Sequence, residues 1–170
     1  MILRLATPAD AAALALLGQE AFVAKFADLY SPEDLSAFLK ESHSEAARAA
    51  ELADNRLVTC LAEHETGLGG YCKLSLECGW PEMARGERVI ELKQLYTDPA
   101  LVGRGVGSQL MDWALGEARS RGADEIQLSV WSGNTGAHRF YYRYGFSKVG
   151  ETTFRVGNQL DHEFVFAVLL

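Results

Sequence analysis

The sequence predicts a mixed α/β fold, one sheet with helices on both faces. Three observations carry that reading. Strand-like and helix-like stretches follow one another as strand, helices, a run of strands, helix, strand, helix and two strands. Two helix starts are spelled out as Ser/Thr-Pro-x-Asp, at Thr7 and at Ser31. Two later helices are closed by single glycines, Gly122 and Gly145.

Taken in order, Ile2 to Leu5 reads as a short first strand. Thr7 caps the first helix, with Pro8 at its first position and Asp10 three residues after the cap. Leu14, Leu17 and Ala21 follow at helical spacing. The second helix, from Ser31, carries Leu35, Phe38 and Leu39. Phe22, Phe26 and Tyr30 lie between the two starts and read as core or groove-wall residues. The alanine-rich stretch from Ser42 to Asp54 predicts a further helix. Leu57 to Ala62 and Tyr71 to Leu76 are strand candidates, joined through Glu65-Thr66-Gly67. A polar loop, Glu77 to Arg88, contains Trp80-Pro81. Val89 to Thr97 is the fourth strand. Its apolar residues Ile90 and Leu92 alternate, whereas Leu95 and Tyr96 fall out of step, which marks a bulge. A helix follows from Gly103–Ser108 to about Arg121. Glu125 to Val130 is a strand with Ile126, Leu128 and Val130 on one face. Thr135 to Tyr144 is a helix. Phe146 to Phe154 and Leu160 to Leu169 complete the sheet, with Gly157-Asn158 in the turn between them.

The chain has 170 residues, 48% hydrophobic and 23% charged, which suits one domain with one core over residues 1–170. Its formal net charge is −7. No basic surplus exists to neutralise phosphates, so a nucleic-acid partner is not expected. The apolar stretch Ala11 to Leu17 is preceded by Asp10 and followed by Gln19 and Glu20, so it reads as an amphipathic helix and not a targeting segment. No run approaches a membrane span, and no membrane partner is expected. The three cysteines, Cys60, Cys72 and Cys78, are odd in number and form no C-x-x-C pair. A disulfide framework or a zinc site is not expected, and a reducing cytoplasm fits. His43, His64, His138 and His162 are scattered without metal-ligand spacing and read as surface or local hydrogen-bonding residues. No metal is expected.

Val102-Gly103-Arg104-Gly105-Val106-Gly107-Ser108 sits between a strand and a helix. Glycines there let the backbone turn sharply and approach a ligand closely. The amides at the helix start and the helix dipole favour an anion, and a pyrophosphate fits. Arg104 and Ser108 would add donors. A Walker loop needs Lys after the last glycine, and Ser108 stands there. A dinucleotide fingerprint needs its third glycine one residue later and no Asp98–Val102 spacer after the strand. A plain strand-to-helix turn is the remaining alternative.

The second motif, Asn134-Thr135-Gly136-Ala137-His138-Arg139-Phe140-Tyr141-Tyr142-Arg143-Tyr144-Gly145-Phe146, follows a strand. Together the two stretches resemble the GCN5-related N-acetyltransferase (GNAT) family. That family's acyl-CoA loop reads (Gln/Arg)-x-x-Gly-x-(Gly/Ala), and its later segment reads Asn-x-x-Ala-x-x-(Phe/Leu)-Tyr-x-x-x-Gly-Phe. Every specified position of the second pattern is met, by Asn134, Ala137, Phe140, Tyr141, Gly145 and Phe146. In the first, Val102 takes the Gln/Arg position and removes one side-chain contact. The order of elements also agrees, so the resemblance spans essentially the whole chain.

The resemblance implies a GNAT-like α/β fold: a mixed, mostly antiparallel twisted sheet flanked by helices on both faces. It implies acetyl-CoA as cosubstrate, lodged between the fourth and fifth strands. Leu95, Tyr96 and Thr97 correspond to the bulged strand end that pairs with the pantetheine arm. Gly103, Arg104, Gly105, Val106, Gly107 and Ser108 correspond to the pyrophosphate loop, and Asn134 to a polar contact with the cofactor arm. Tyr141 corresponds to the residue near the thioester sulfur. Glu91 stands where histone-acetylating members carry their base. The other family base position is Ser129 here, which is no base. Phe26, Tyr30, Ser31-Pro32-Glu33-Asp34, Gly70–Leu74 and Val130–Asn134 resemble PaiA-type polyamine acetyltransferases, although Ser132 replaces the Glu common in that subgroup.

Acetyl transfer to an amine develops an oxyanion, which preorganised backbone amides stabilise. The leaving thiolate, with a pKa of about 8.5, takes a proton from a phenol of pKa about 10, which points to Tyr141. The incoming amine must lose a proton, which points to Glu91 or a water chain. The expected acceptor is a primary amine, on a small molecule such as a polyamine or on a peptide, attacking directly in a ternary complex. The alternative is a non-catalytic acyl-CoA-binding regulatory module, which needs only the loop and Asn134. The acceptor groove would come from the early helices and the Glu77–Arg88 loop. Related proteins are often dimers, so a homodimer is an open expectation.

Overall fold

The computed structural model describes residues 1–65 and 67–170; Thr66, in the expected turn between the second and third strands, lies outside them. Seven strands form one sheet: β1 (Ile2–Leu5), β2 (Leu57–His64), β3 (Gly67–Ser75), β4 (Val89–Thr97), β5 (Glu125–Trp131), β6 (Ser147–Val156) and β7 (Gln159–Leu169). Their order across the sheet is β1-β2-β3-β4-β5-β7-β6. Only β4 and β5 run parallel; every other neighbouring pair is antiparallel. The helices are α1 (Ala11–Phe26), α2 (Pro32–Ser42), α3 (Glu45–Ala53), α4 (Val106–Ser120) and α5 (Thr135–Arg143).

Ser31 caps α2 as the sequence indicates, whereas Thr7 caps a 3-10 turn, Pro8–Asp10, that leads into α1. The Asp10 carboxylate accepts the Thr7 backbone N–H at 2.7 Å and its hydroxyl at 2.9 Å. Ser31 Oγ accepts the Asp34 amide at 3.1 Å. The further helix expected in the alanine-rich stretch is α3; α2 runs on through Ser42, and α3 starts afresh with Ser44 as its cap. Ser44 Oγ accepts the Ala47 amide at 3.2 Å, and this local bond competes with helix continuation.

Strand alternation decides which residues meet which helices. Cys60, Cys72, Leu74, Ile90, Leu92, Ile126, Leu128 and Phe166 pack on Val106, Leu110, Met111 and Ala114 of α4, with Phe140 and Tyr141 of α5 against the same cluster. On the opposite face, Leu61 and Tyr71 pack on Leu14 and Leu17 of α1. Phe22 of α1, Phe38 of α2 and Val156 of β6 form a third cluster. The expected break in β4 is present. Lys73 pairs with Gln94 but Leu74 with Leu92, so Lys93 is an extra residue. That bulge reverses the phase. Leu95 therefore shares the α4 face with Leu92, while Tyr96 joins the α1 side.

The loop between β3 and β4 is held by two carboxylates. Asp124 accepts the amides of Glu87 and Arg88, both at 2.9 Å. Buried Glu125 accepts the amides of Arg85 and Gly86, both at 2.7 Å, and lies 3.3 Å from Arg85 Nε. This acidic pair is therefore structural.

Candidate active site

β4 and β5 pair only from Val89 to Glu91 against Glu125 to Gln127. Beyond that point the parallel strands part, because β4 bulges at Lys93 and continues along β3 while β5 continues along β7. The fork opens into a cleft of about 1510 Å³. Leu95, Tyr96, Thr97, Gly103, Gly105, Val106, Gly107, Ser108, Asn134, Tyr141 and Glu91 all line it. Of the residues expected to hold the cosubstrate, Arg104 alone stays outside that lining and is exposed.

The glycine loop has the form an anion needs. Gly103 and Gly105 have φ of +80° and +84°, a region that disfavours side chains. A Cβ built on either would meet nothing within 4 Å, so the restriction is in the backbone and not in crowding. Gly105 caps α4, a 15-residue helix with no acidic residue in its first turn. The first-turn amides are left for a ligand, and the dipole favours negative charge there. Val102 is 69% exposed and adds no polar group.

On the far wall, Asn134 caps α5 by accepting the Ala137 amide at 3.2 Å. Its carbonyl oxygen is thus occupied, leaving the side-chain amide nitrogen for a cofactor. His138 does not face the cleft. It is buried beneath α5, with Nε2 3.0 Å from the Trp131 carbonyl and its ring against Phe164 and Phe166. Tyr141 is partly buried, with ring centroids of Phe140 and Phe146 at 5.5 and 5.7 Å. Burial pushes its phenol well above the usual range, and neighbouring Cys72 and Tyr96 add to the shift. Tyr141 is therefore protonated at neutral pH.

Glu91 lies at the base of the fork. Its carboxylate is 3.3 Å from Lys93 Nζ and close enough to Gly79 that a Cβ there would sit 3.0 Å from Oε2. A second carboxylate, on β7, was not anticipated. Glu163 lines the cleft opposite Trp131 and is 9% exposed. Burial raises its pKa, an effect opposed by a hydrogen bond with Ser129 and reinforced by Asp161. Asp161 in turn accepts a short hydrogen bond from the Tyr30 phenol.

Two buried cations in the cleft were also missed. Arg48 of α3 and Lys73 of β3 are each 2% exposed, and both line the cleft. Lys73 carried a signal, since it interrupts an apolar strand, Cys72-Lys73-Leu74. Glu163, which follows Asp161-His162, and Arg48, in an alanine-rich helix, carried none. Next to them His43 departs from the surface role expected of it. It is fully buried between Phe22, Phe38 and Tyr96, and among the described residues neither ring nitrogen has a hydrogen-bond partner. Burial, then the charges of Arg48 and Lys73, push its pKa down to about 3, so the imidazole is neutral.

Among the described residues no helix is long and apolar enough to cross a membrane. Residues 23–146 match the family model described as Acetyltransferase (GNAT) family. An uncharacterized N-acetyltransferase of Mycobacterium bovis is 32% identical over 157 residues, 92% of this chain and 95% of that one. Two solved structures share the fold. The PaiA N-acetyltransferase of Thermoplasma acidophilum, crystallised with coenzyme A, superposes with a TM-score of 0.79 at 19% identity, covering 100% of both chains. A GCN5-related N-acetyltransferase of Rhodopseudomonas palustris gives 0.78 at 25% identity, over 99% of this chain and 95% of that one.

Proposed function

The chain belongs to the GNAT acetyltransferase family and is an N-acetyltransferase, and from that premise we propose that residues 1–170 act as one catalytic domain. It transfers an acetyl group from acetyl-CoA to a primary amine, on a small molecule such as the polyamines of PaiA-type enzymes or on a peptide, by direct attack within a ternary complex. The observation that carries this reading is the convergence of the glycine loop, the free end of β4 and Tyr141 on one cleft.

Each part has a task. The amides of Gly103 to Ser108 take the pyrophosphate at the start of α4, and Asn134 meets the cofactor arm. The backbone from Leu95 to Thr97, released from β5, pairs with the pantetheine and offers an amide to the thioester carbonyl. The amine nitrogen bonds to the carbonyl carbon and gives a tetrahedral oxyanion, whose collapse restores the carbonyl as the carbon–sulfur bond breaks. Tyr141 gives its proton to the departing thiolate. Its raised pKa does not forbid this, because the same desolvation raises the pKa of a thiol formed beside it. Glu91, directly or through water, takes the proton that the ammonium loses. Holding both substrates in one cleft removes much of the entropic barrier.

The test is acetyl-CoA-dependent thiol release across polyamines, amino acids, aminoglycosides and short peptides. Initial-rate lines that intersect when both substrates are varied support the ternary complex, and parallel lines overturn direct attack. Folded protein that binds acetyl-CoA yet releases thiol with no acceptor overturns the proposal.

A further inference from the structure

Arg48, Lys73 and Glu51 make a charged cluster on the cleft wall away from the glycine loop. Glu51 Oε1 lies 2.6 Å from Lys73 Nζ and 3.3 Å from Arg48 Nη2. Two cations therefore share one carboxylate, and the side chains of both cations are 3% exposed while that of Glu51 is 29% exposed. The cluster holds a net charge of +1 at a nearly dry site. Buried charge is costly unless paired, so this arrangement calls for an anion.

The donors are not used up. Arg48 Nη1 binds Gln94 Oε1 at 2.9 Å, and Nη2 binds the Ser42 carbonyl. Its Nε approaches Glu51 Oε2 at 3.2 Å but is not aligned for a hydrogen bond, and among the described residues it is a buried nitrogen without one. An ammonium has three donors, and the only ion-pair partner of Lys73 among the described residues is Glu51. The same cleft also carries the opposite sign, with Glu163 and its neighbour Asp161 on β7. Tyr96 feels both groups: burial raises the pKa of its phenol, Arg48 opposes that shift and Glu163 adds to it.

Resting on the transferase reading above, we infer that the acceptor is an amine that also carries an anionic group, a carboxylate or a phosphoryl group. The anion seats against Arg48 and Lys73, and the ammonium nitrogen enters on the Glu163 side of the fork. A pure polycation would set a further ammonium against two buried cations, where the low dielectric magnifies repulsion.

The ligand carries the first test, so that no variant need fold. Wild-type protein is assayed with a short ω-amino acid, its carboxamide, a phosphorylated amino alcohol and a diamine of equal length. The expected result is a kcat/KM at least tenfold higher for the carboxylate or the phosphate than for the carboxamide and the diamine. Which anion wins names the group. A second arm uses Lys73→Met, whose apolar side chain fits the buried site; the ratio of anionic to carboxamide acceptor should fall by tenfold, with the KM for acetyl-CoA unchanged. Equal or faster transfer to the diamine or carboxamide overturns the inference and leaves the transferase reading intact. No thiol release with any acceptor overturns both.

Discussion

Arg48 of α3 donates a hydrogen bond to the Gln94 side chain of β4 at 2.9 Å, and the Tyr71 phenol donates to the same oxygen at 3.1 Å. Gln94 follows the bulge residue Lys93. One side-chain oxygen thus ties α3 to the strand that leaves the fork. Gln94→Leu removes that acceptor and leaves two buried donors unpaired. The cost expected is about 1–3 kcal/mol for each unsatisfied group, offset in part by the added apolar burial. Urea unfolding should show a lower midpoint with an unchanged slope.

The second prediction concerns Tyr141. Tyr141→Phe keeps the ring that packs on Phe140 and Phe146 and deletes only the hydroxyl. Turnover should fall by roughly 10²-fold or more, the usual range for a lost general acid, with acetyl-CoA affinity nearly unchanged. Stopped-flow thiol release paired with calorimetric binding separates the two quantities. Unchanged turnover removes Tyr141 from the chemistry.

Gly105 allows a test of the loop without steric crowding. Its φ is +84°, and a Cβ there would touch nothing. Gly105→Ala should cost about 1–2 kcal/mol of backbone strain or shift the amides out of line. The KM for acetyl-CoA should rise several-fold. Gly116, inside α4 with open space around it, is the control: Gly116→Ala should stabilise by about 0.5–1 kcal/mol and leave that KM alone.

The two cleft carboxylates should differ in their pH signatures. The folded pKa of Glu163 is raised by burial, so the folded state holds that proton more tightly than the unfolded chain does. Glu163 then costs stability as pH rises from the ordinary glutamate range through its raised value. Glu163→Gln should therefore raise the melting temperature at neutral pH and do so less near pH 4. Glu91→Gln should instead reduce kcat with little change in melting temperature. If Glu163→Gln alone reduces kcat and Glu91→Gln does not, the base is Glu163 and not Glu91.

The sequence by itself determined the element list and the glycine loop, because both are written in local chemistry. Thr7 and Ser31 declare helix starts, Gly122 and Gly145 declare stops, and Leu92 followed by Leu95 declares a bulge, since a strand without an extra residue keeps one parity. Residues from Asn134 to Phe146 and the glycines around Gly105 carried the family resemblance, and they line the same cleft or pack beneath it.

Only the tertiary structure decided which charged residues line the cleft away from the two motifs. Arg48, Lys73 and Glu163 come from α3, β3 and β7, far apart in the chain, and meet because β4 and β5 part at Glu91 and Gln127. Local patterning gives the face of each residue and not its neighbours across the sheet. Burial is a property of the packed whole for the same reason. His43 looks like an ordinary polar residue after a helix, yet it is sealed among aromatic rings, and the cost of keeping its nitrogens dry arises only once α1, α2 and β4 have closed around it.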